Sequence, residues 1–294
     1  MKAAPFEYSR PADVDEACAL LADDEDARLI AGGQTLVPMM AMRLARPARL
    51  VDIARIAALS YVRQEDGHVA IGAATRQCDA ERDVTVAAKL PLLAAAIPWI
   101  GHAATRARGT VGGSLANGDP AAELALVAVT LDATLTFRKA GQDGEIAAAD
   151  FFLGPTVTAL PAAACLTGVR FPIWGDGSVG VGFHEVNARR SDFAFVSAAA
   201  QVALDADGIC RGAAIGIGAI TDAPFRLHGI EQTLIGSRPE PAKLRPTIEA
   251  VLAGIEVNAD LHASAAYRRR AAVTLALRAI TDACESAKRG AHAN

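Results

Sequence analysis

Two stretches of this chain set glycine pairs beside small polar side chains. The first is "AGGQTLVPMM", with Ala31, Gly32, Gly33, Gln34 and Thr35, and the second is "RARGTVGGSLANGDPAAEL", with Thr110, Val111, Gly112, Gly113 and Ser114. Glycine is entropically costly, so pairs of it belong where the backbone needs positive φ or where something must approach the main chain closely. One reading is a plain strand-to-helix turn. The other is a nest, in which successive N–H groups point at an anion such as a pyrophosphate at a helix start. Gln34, Thr35, the Ser114 hydroxyl and the Asn117 amide add side-chain donors at the same places. Two such loops separated by a folded segment suggest a long ligand held from both sides. The Rossmann fingerprint is not met, because neither stretch carries G-x-G-x-x-G between a strand and a helix, and "GIGAI" at 216–220 reads as packing within a strand.

Other chemistries are poorly supplied. No nucleophile and base stand at a recognisable spacing, and there is no G-x-S-x-G elbow. Cys18, Cys78, Cys165, Cys210 and Cys284 are odd in number and far apart, which fits neither a disulfide framework nor a zinc or iron–sulfur motif. His68 and His102 have no partner at metal-ligand spacing. With 294 residues, 52% of them hydrophobic and 21% charged, the chain is long and apolar enough for two or three cores. A net charge of −4 with scattered arginines argues against nucleic acid as a partner. The N-terminus has no apolar signal-like core. "LALVAVTLDATLTF" is interrupted by Asp132 well short of the roughly 18 to 20 residues a membrane span needs, so a cytoplasmic protein is expected.

The elements that must carry the glycine loops follow from periodicity. "PADVDEACALLADDEDA" reads as an amphipathic helix, "ARLIAGGQT" as a buried strand entering a glycine turn, and "RLVDI" as a second strand, giving a small α/β unit over residues 1–55. A second unit over 56–174 opens with a hairpin turning at Glu65-Asp66-Gly67 and continues through helices broken by Pro91 and Pro98. Asp119-Pro120 reads as a helix start, with Asp119 as N-cap, Pro120 at the first helical position and Glu123 in the first turn. Glu123 has two readings, a dipole-stabilising charge or a ligand contact. "WGDGSVG", 174–180, reads as a linker to a third unit over 175–294. That unit holds two long strands about Asp207-Gly208 and helices near 240–255 and 261–288.

"AGGQTLVPMM", "RARGTVGGSLANGDPAAEL", "GVRFP" and "FHEVNARRSDFA", in this order, resemble the FAD-binding medium subunit of the molybdenum hydroxylases, the group of carbon monoxide dehydrogenase, xanthine dehydrogenase and aldehyde oxidase. The resemblance extends to "YRRRAAVTLALRAI" and so covers essentially the whole chain. It implies an α+β architecture, a two-lobed FAD-binding fold of the vanillyl-alcohol oxidase type followed by a C-terminal α/β domain with an antiparallel sheet packed by helices. By position it implies non-covalent FAD contacts from Ile30, Ala31, Gly32, Gly33, Gln34, Thr35, Leu36 and Val37, and from Thr110, Val111, Gly112, Gly113 and Ser114. It further implies polar contacts from Asn117, Asp119 and Glu123 and apolar ones from Ile100 and Leu166. His184 stands where xanthine-type relatives have lysine. Two departures, Ala107 in "RARGT" and Gln34 in the first loop, touch side chains and not backbone donors.

The resemblance also implies partners. Substrate would be oxidised at a molybdopterin on a large subunit, electrons would cross [2Fe-2S] clusters on a small subunit, and this chain's FAD would deliver them to oxygen, NAD or a quinone. The assembly would be a dimer of heterotrimers, with "ARRSDFA" and the C-terminal helices as candidate contacts. Alternatives are a stand-alone FAD-dependent oxidoreductase of the same fold and a scaffold that no longer binds cofactor.

Overall fold

A computed structural model describes residues 2–175 and 177–291 of the chain. The first 52 residues form β1 (Glu7–Ser9), α1 (Val14–Asp23), β2 (Ala27–Ile30), α2 (Leu36–Ala41) and β3 (Arg49–Asp52). Their sheet is parallel in the order β1-β3-β2. Asp13 caps α1 by accepting from the Glu16 N–H at 2.9 Å, and Ala17 and Cys18 on its inner face bury against Val51.

The next stretch contributes β4 (Val62–Glu65), β5 (His68–Gly72), α3 (Gln77–Arg82), α4 (Val84–Lys89), α5 (Pro91–Ala96), α6 (Ala103–Arg106), α7 (Val111–Asn117) and α8 (Glu123–Thr130). It continues with β6 (Thr134–Lys139), β7 (Gln142–Ala147), α9 (Ala148–Phe151), β8 (Phe152–Gly154), β9 (Val157–Thr158) and β10 (Cys165–Pro172). Five of these strands make an antiparallel sheet, β4-β5-β10-β6-β7, and β8 pairs with β9 apart from it. The expected hairpin turn is present, with Gly67 at φ +72°. Pro91 starts α5, where its missing N–H costs nothing. Asp119 and Pro120 do not start a helix. Asp119 accepts the Ala121 N–H at 2.9 Å in a local turn, and α8 begins at Glu123 with Ala122 as its cap. Ala122 is extended, at φ −73° and ψ 126°, so the turn that Asp119 closes does not run on into α8.

The remainder is β11 (Ser178–Val186), β12 (Val196–Leu204), β13 (Cys210–Gly218), β14 (Phe225–Arg226), α10 (His228–Leu234), α11 (Arg245–Ala253) and α12 (Ala265–Ala291). The strands form one antiparallel sheet in chain order. All nine residues of β12 are buried, because α12 covers one face of the sheet and α5 and α8 the other. Every residue of α8 after Glu123 is buried because the helix lies between the sheet of β12, β13 and β14 and the helices α5, α7 and α9.

The expected linker at 174–180 is shortened by β11, which begins at Ser178; Asp176 lies outside the described residues. Its last glycine, Gly180, serves packing, as does Gly182 two residues on. A Cβ on Gly180 would stand 2.1 Å from the Ala283 carbonyl oxygen, and one on Gly182 would stand 2.2 Å from that of Ala279. Two glycines on one face of β11 thus let the alanine-lined side of α12 approach the strand at backbone distance. Gly182→Val is expected to cost about 3 kcal/mol, the upper end for overpacking, because a helix backbone cannot yield as a side chain can. A urea denaturation midpoint unchanged from the wild type would contradict this packing account.

A buried ion cluster fastens β14 and α10 to the end of α8. Glu231, 5% exposed at its side chain, accepts from the Ile215 N–H at 2.8 Å and from Arg226 Nε at 3.0 Å and Nη2 at 2.8 Å, while Arg226 also pairs with Asp132. Among the described residues, no helix is long and apolar enough to cross a membrane.

Candidate functional site

The two glycine stretches come together. A Cβ on Gly32 would lie 2.3 Å from the Arg108 carbonyl oxygen and 2.8 Å from Gly109 Cα, so the loop after β2 touches the loop before α7 backbone to backbone. Beside that contact opens a cavity of about 580 Å³. Its walls come from β2, the start of α2, α7, the start of α8, β10 and the loop after β11.

The first glycine loop has the character of a nest. Gly33 adopts φ +70°, and the backbone N–H groups of Gly32, Gly33, Gln34 and Thr35 find no acceptor among the described residues. Four consecutive free donors lead into α2, where peptide dipoles favour an anion.

The second pair has a different role from the one its composition suggests. Gly112 and Gly113 lie in the first turn of α7, and neither has positive φ. Thr110 caps this turn, its Oγ1 accepting the Gly113 N–H at 3.0 Å. Gly112 is glycine because a Cβ there would sit 2.4 Å from that of Ala73 at the end of β5. Gly113 and Ser114 then face the cavity.

Of the residues implicated by sequence, Ile30, Ala31, Gly32, Gly33, Gln34, Thr35 and Leu36 line the cavity, as do Ile100, Thr110, Gly112, Gly113, Ser114, Asn117, Asp119, Glu123 and Leu166. Val37 lies off it, 51% exposed on the outer side of α2, and Val111 is fully buried beneath α7. His184 is also elsewhere. On β11 it shares the face of Gly180 and Gly182, and its Nε2 lies 2.7 Å from Asp282 of α12. The two-residue period of the strand therefore aims it away from the cavity.

Sequence reasoning missed several lining residues. Gln77, 4% exposed, borders the cavity with a buried Oε1 that has no hydrogen-bond partner among the described residues. Its position before a helical pattern carried no distinguishing signal. Ser191, Asp192 and Phe193 reach the cavity from the "ARRSDFA" loop, where Ser191 holds φ +74° and Phe193 stays 72% exposed. An aromatic inside a polar loop was the available clue.

The polar and apolar walls are segregated by element. Ile100, Ala122 and Leu166 belong to the main core of the second unit and show it to the cavity, with Leu160 packed alongside. Glu123 stands at this end. Burial pushes its carboxyl up to about 7, with the charge of Asp119 adding to the effect and its own N–H and Arg106 opposing it. The arrangement is suited to an anionic linkage at one end and a flat apolar group at the other. Among the described residues, no cluster of three His, Cys, Asp or Glu side chains could hold a metal.

Fold and site together define a binder of a long, phosphate-bearing organic cofactor, built from two lobes with a further sheet-and-helix unit behind them. Comparison with known proteins agrees. Residues 4–174 match the family described as the FAD binding domain in molybdopterin dehydrogenase, and residues 182–283 match the CO dehydrogenase flavoprotein C-terminal domain. The alpha subunit of the 6-hydroxypseudooxynicotine dehydrogenase complex of Paenarthrobacter nicotinovorans is 35% identical, over 98% of this chain and 97% of its own length. The carbon monoxide dehydrogenase medium chain of Afipia carboxidovorans is 32% identical, over 96% and 98%. Among solved structures, quinoline 2-oxidoreductase from Pseudomonas putida 86 superposes with a TM-score of 0.92 at 34% identity, covering 98% of this chain and 99% of that one. The chain belongs to the FAD-binding medium subunits of the molybdenum hydroxylases.

Proposed function

We propose that this chain holds FAD non-covalently in the cavity and serves as the electron-transfer subunit of a three-part molybdenum hydroxylase. When bound, the flavin would supply the redox chemistry, receiving electrons from [2Fe-2S] clusters of a small partner subunit, themselves reduced by a molybdopterin-bearing large subunit, and passing them to an external acceptor. The observation that carries this reading is the run of free N–H groups from Gly32 to Thr35 facing the capped start of α7 across one cavity.

The residues of the chain act by binding and orientation. Gly32 to Thr35 would take the diphosphate as hydrogen-bond donors, and the short α2 would add its N-terminal partial charge. Ser114 and Asn117 would hold the polar chain between phosphate and ring. Ile100, Ala122 and Leu166 would exclude water from one side of the ring, and Phe193 would approach it from the loop after β11. The names of the relatives, medium chains and subunits of complexes, support a large and a small partner; the assembly proposed for them is a dimer of heterotrimers.

The purified protein, once denatured, is expected to release a flavin that chromatographs as FAD. Release of FMN, or colour that stays with the precipitate, would contradict the reading. Co-expressed with both partner chains and given substrate without acceptor, the flavin absorbance should bleach, and should persist when the iron–sulfur chain is omitted. Bleaching by this chain alone would establish the stand-alone flavoenzyme.

A further inference from the structure

One polar side chain of the cavity wall has no task within the protein. Gln77, the first residue of α3, is 4% exposed and borders the cavity, and its Oε1 is sealed from solvent with no hydrogen-bond partner among the described residues. A buried acceptor left unmade is costly, so its presence calls for a partner. The backbone around it is engaged elsewhere. The Gln77 N–H donates to the Gly109 carbonyl at 2.9 Å, and Arg76 Nη1 donates to that of Arg108. The Arg108 and Gly109 N–H groups go to the Thr105 carbonyl at 3.1 and 2.7 Å, and that of Val111 goes to Thr75 at 2.9 Å. None of these donors is free to serve Oε1.

Gly109 fixes where the amide sits. A Cβ on Gly109 would stand 2.6 Å from Gln77 Oε1, so glycine at this position gives the amide its room, while the Gly109 Cα is the atom that a Cβ on Gly32 would meet at 2.8 Å. Gln77 therefore lies one residue across from the run of free N–H groups that begins at Gly32. That place decides the chemistry. The nest suits an anion, which needs donors, and an acceptor beside it cannot serve a diphosphate, which has no proton to give. What adjoins the diphosphate of a dinucleotide on either side is a hydroxylated carbon chain or a ribose, and a hydroxyl group both donates and accepts. No hydrogen bond holds Oε1 in place, and the last torsion of glutamine is soft, so the amide can meet a bound hydroxyl by turning about that bond.

We propose that Gln77 is a further binding residue of the cavity, its Oε1 accepting a hydrogen bond from a hydroxyl group adjoining the diphosphate of the bound cofactor. The proposal rests on the FAD reading given above. Gln77 takes no part in electron transfer: it satisfies its own buried oxygen on the ligand and so fixes the direction in which the hydroxylated segment leaves the glycine loop.

The test uses the full chain, stripped of flavin, and its Gln77→Met variant, which keeps the length of the side chain and removes its polar atoms. Titration with FAD should show an affinity about tenfold lower in the variant, the order of one hydrogen bond. The urea midpoint of the flavin-free protein should not fall, because the oxygen removed has no partner there. Unchanged FAD affinity would overturn the proposal. A fall in apoprotein stability alongside the fall in affinity would overturn it too, by making Gln77 a structural residue. Three smaller ligands separate the sources of the hydroxyl group. ADP carries the ribose without the ribityl chain, FMN carries the ribityl chain without the ribose, and inorganic pyrophosphate carries neither. A loss confined to ADP assigns the bond to the ribose, and one confined to FMN assigns it to the ribityl chain. A loss of similar size with pyrophosphate would mean that the amide acts on the anion, against the proposal. Wild-type protein that fails to bind FAD would overturn the functional reading itself, whereas wild type and variant that bind it equally well would overturn only the assignment of Gln77.

Discussion

Gly32→Val will weaken FAD binding by at least about a hundredfold, roughly 2.8 kcal/mol at 1.4 kcal/mol per factor of ten. The valine Cβ would fall 2.3 Å from the Arg108 carbonyl oxygen and 2.8 Å from Gly109 Cα, and both are backbone atoms that no rotamer change can move. Relief requires the two lobes to part at the point where Gly32 to Thr35 present their free N–H groups, so the donors are displaced together. Titration of apoprotein with FAD measures the effect. The control is Gly208→Ala, at φ +75° in the hairpin between β12 and β13, where an added Cβ would meet nothing within 4 Å. It should cost about 1 to 2 kcal/mol of stability through its left-handed conformation and leave FAD affinity unchanged. Wild-type affinity in Gly32→Val would show that the contact between the loops does not shape the site.

The largest stability effect is expected at Glu231. Truncation to alanine leaves the buried Ile215 N–H without its acceptor and strips the half-buried Arg226 of a bidentate partner, leaving it Asp132 alone. Breaking a buried pair from one side costs about 3 to 5 kcal/mol. Urea unfolding should show that loss in midpoint with an unchanged slope. Arg226→Met combined with Glu231→Leu should recover a substantial part of it, because no unpaired charge then stays behind. A double variant as unstable as the sum of the single ones would mean that the cluster acts through packing and not through charge.

Local signals were legible where the physics is local. Asp66-Gly67 between two alternating runs marked the β4–β5 hairpin, since a residue with φ +72° is needed there and glycine supplies it. Pro91 marked the start of α5, and the free donors after β2 were foreshadowed by "AGGQT". Asp119-Pro120 misled, although each residue suits a helix start, because the extended backbone of Ala122 ends the turn that Asp119 closes before α8 begins. Glycines misled where their reason was a distant surface: Gly180 looked like part of a linker and proved, with Gly182, to be the seat of α12.

Residue order alone was enough for the alternation of the elements, which depends on periodicity, and, through the resemblance of four ordered motifs, for the family to which the chain belongs and about half of the cavity-lining residues. Folding in three dimensions was needed to make the second glycine pair a capped helix turn packed on Ala73, to turn His184 toward Asp282, and to bring Gln77 and Phe193 to the cavity. The reason is the same in each case. Which face of a strand or helix is covered, and by what, depends on contacts between segments far apart in the chain, and a charge acquires its chemistry only when folding removes the water around it.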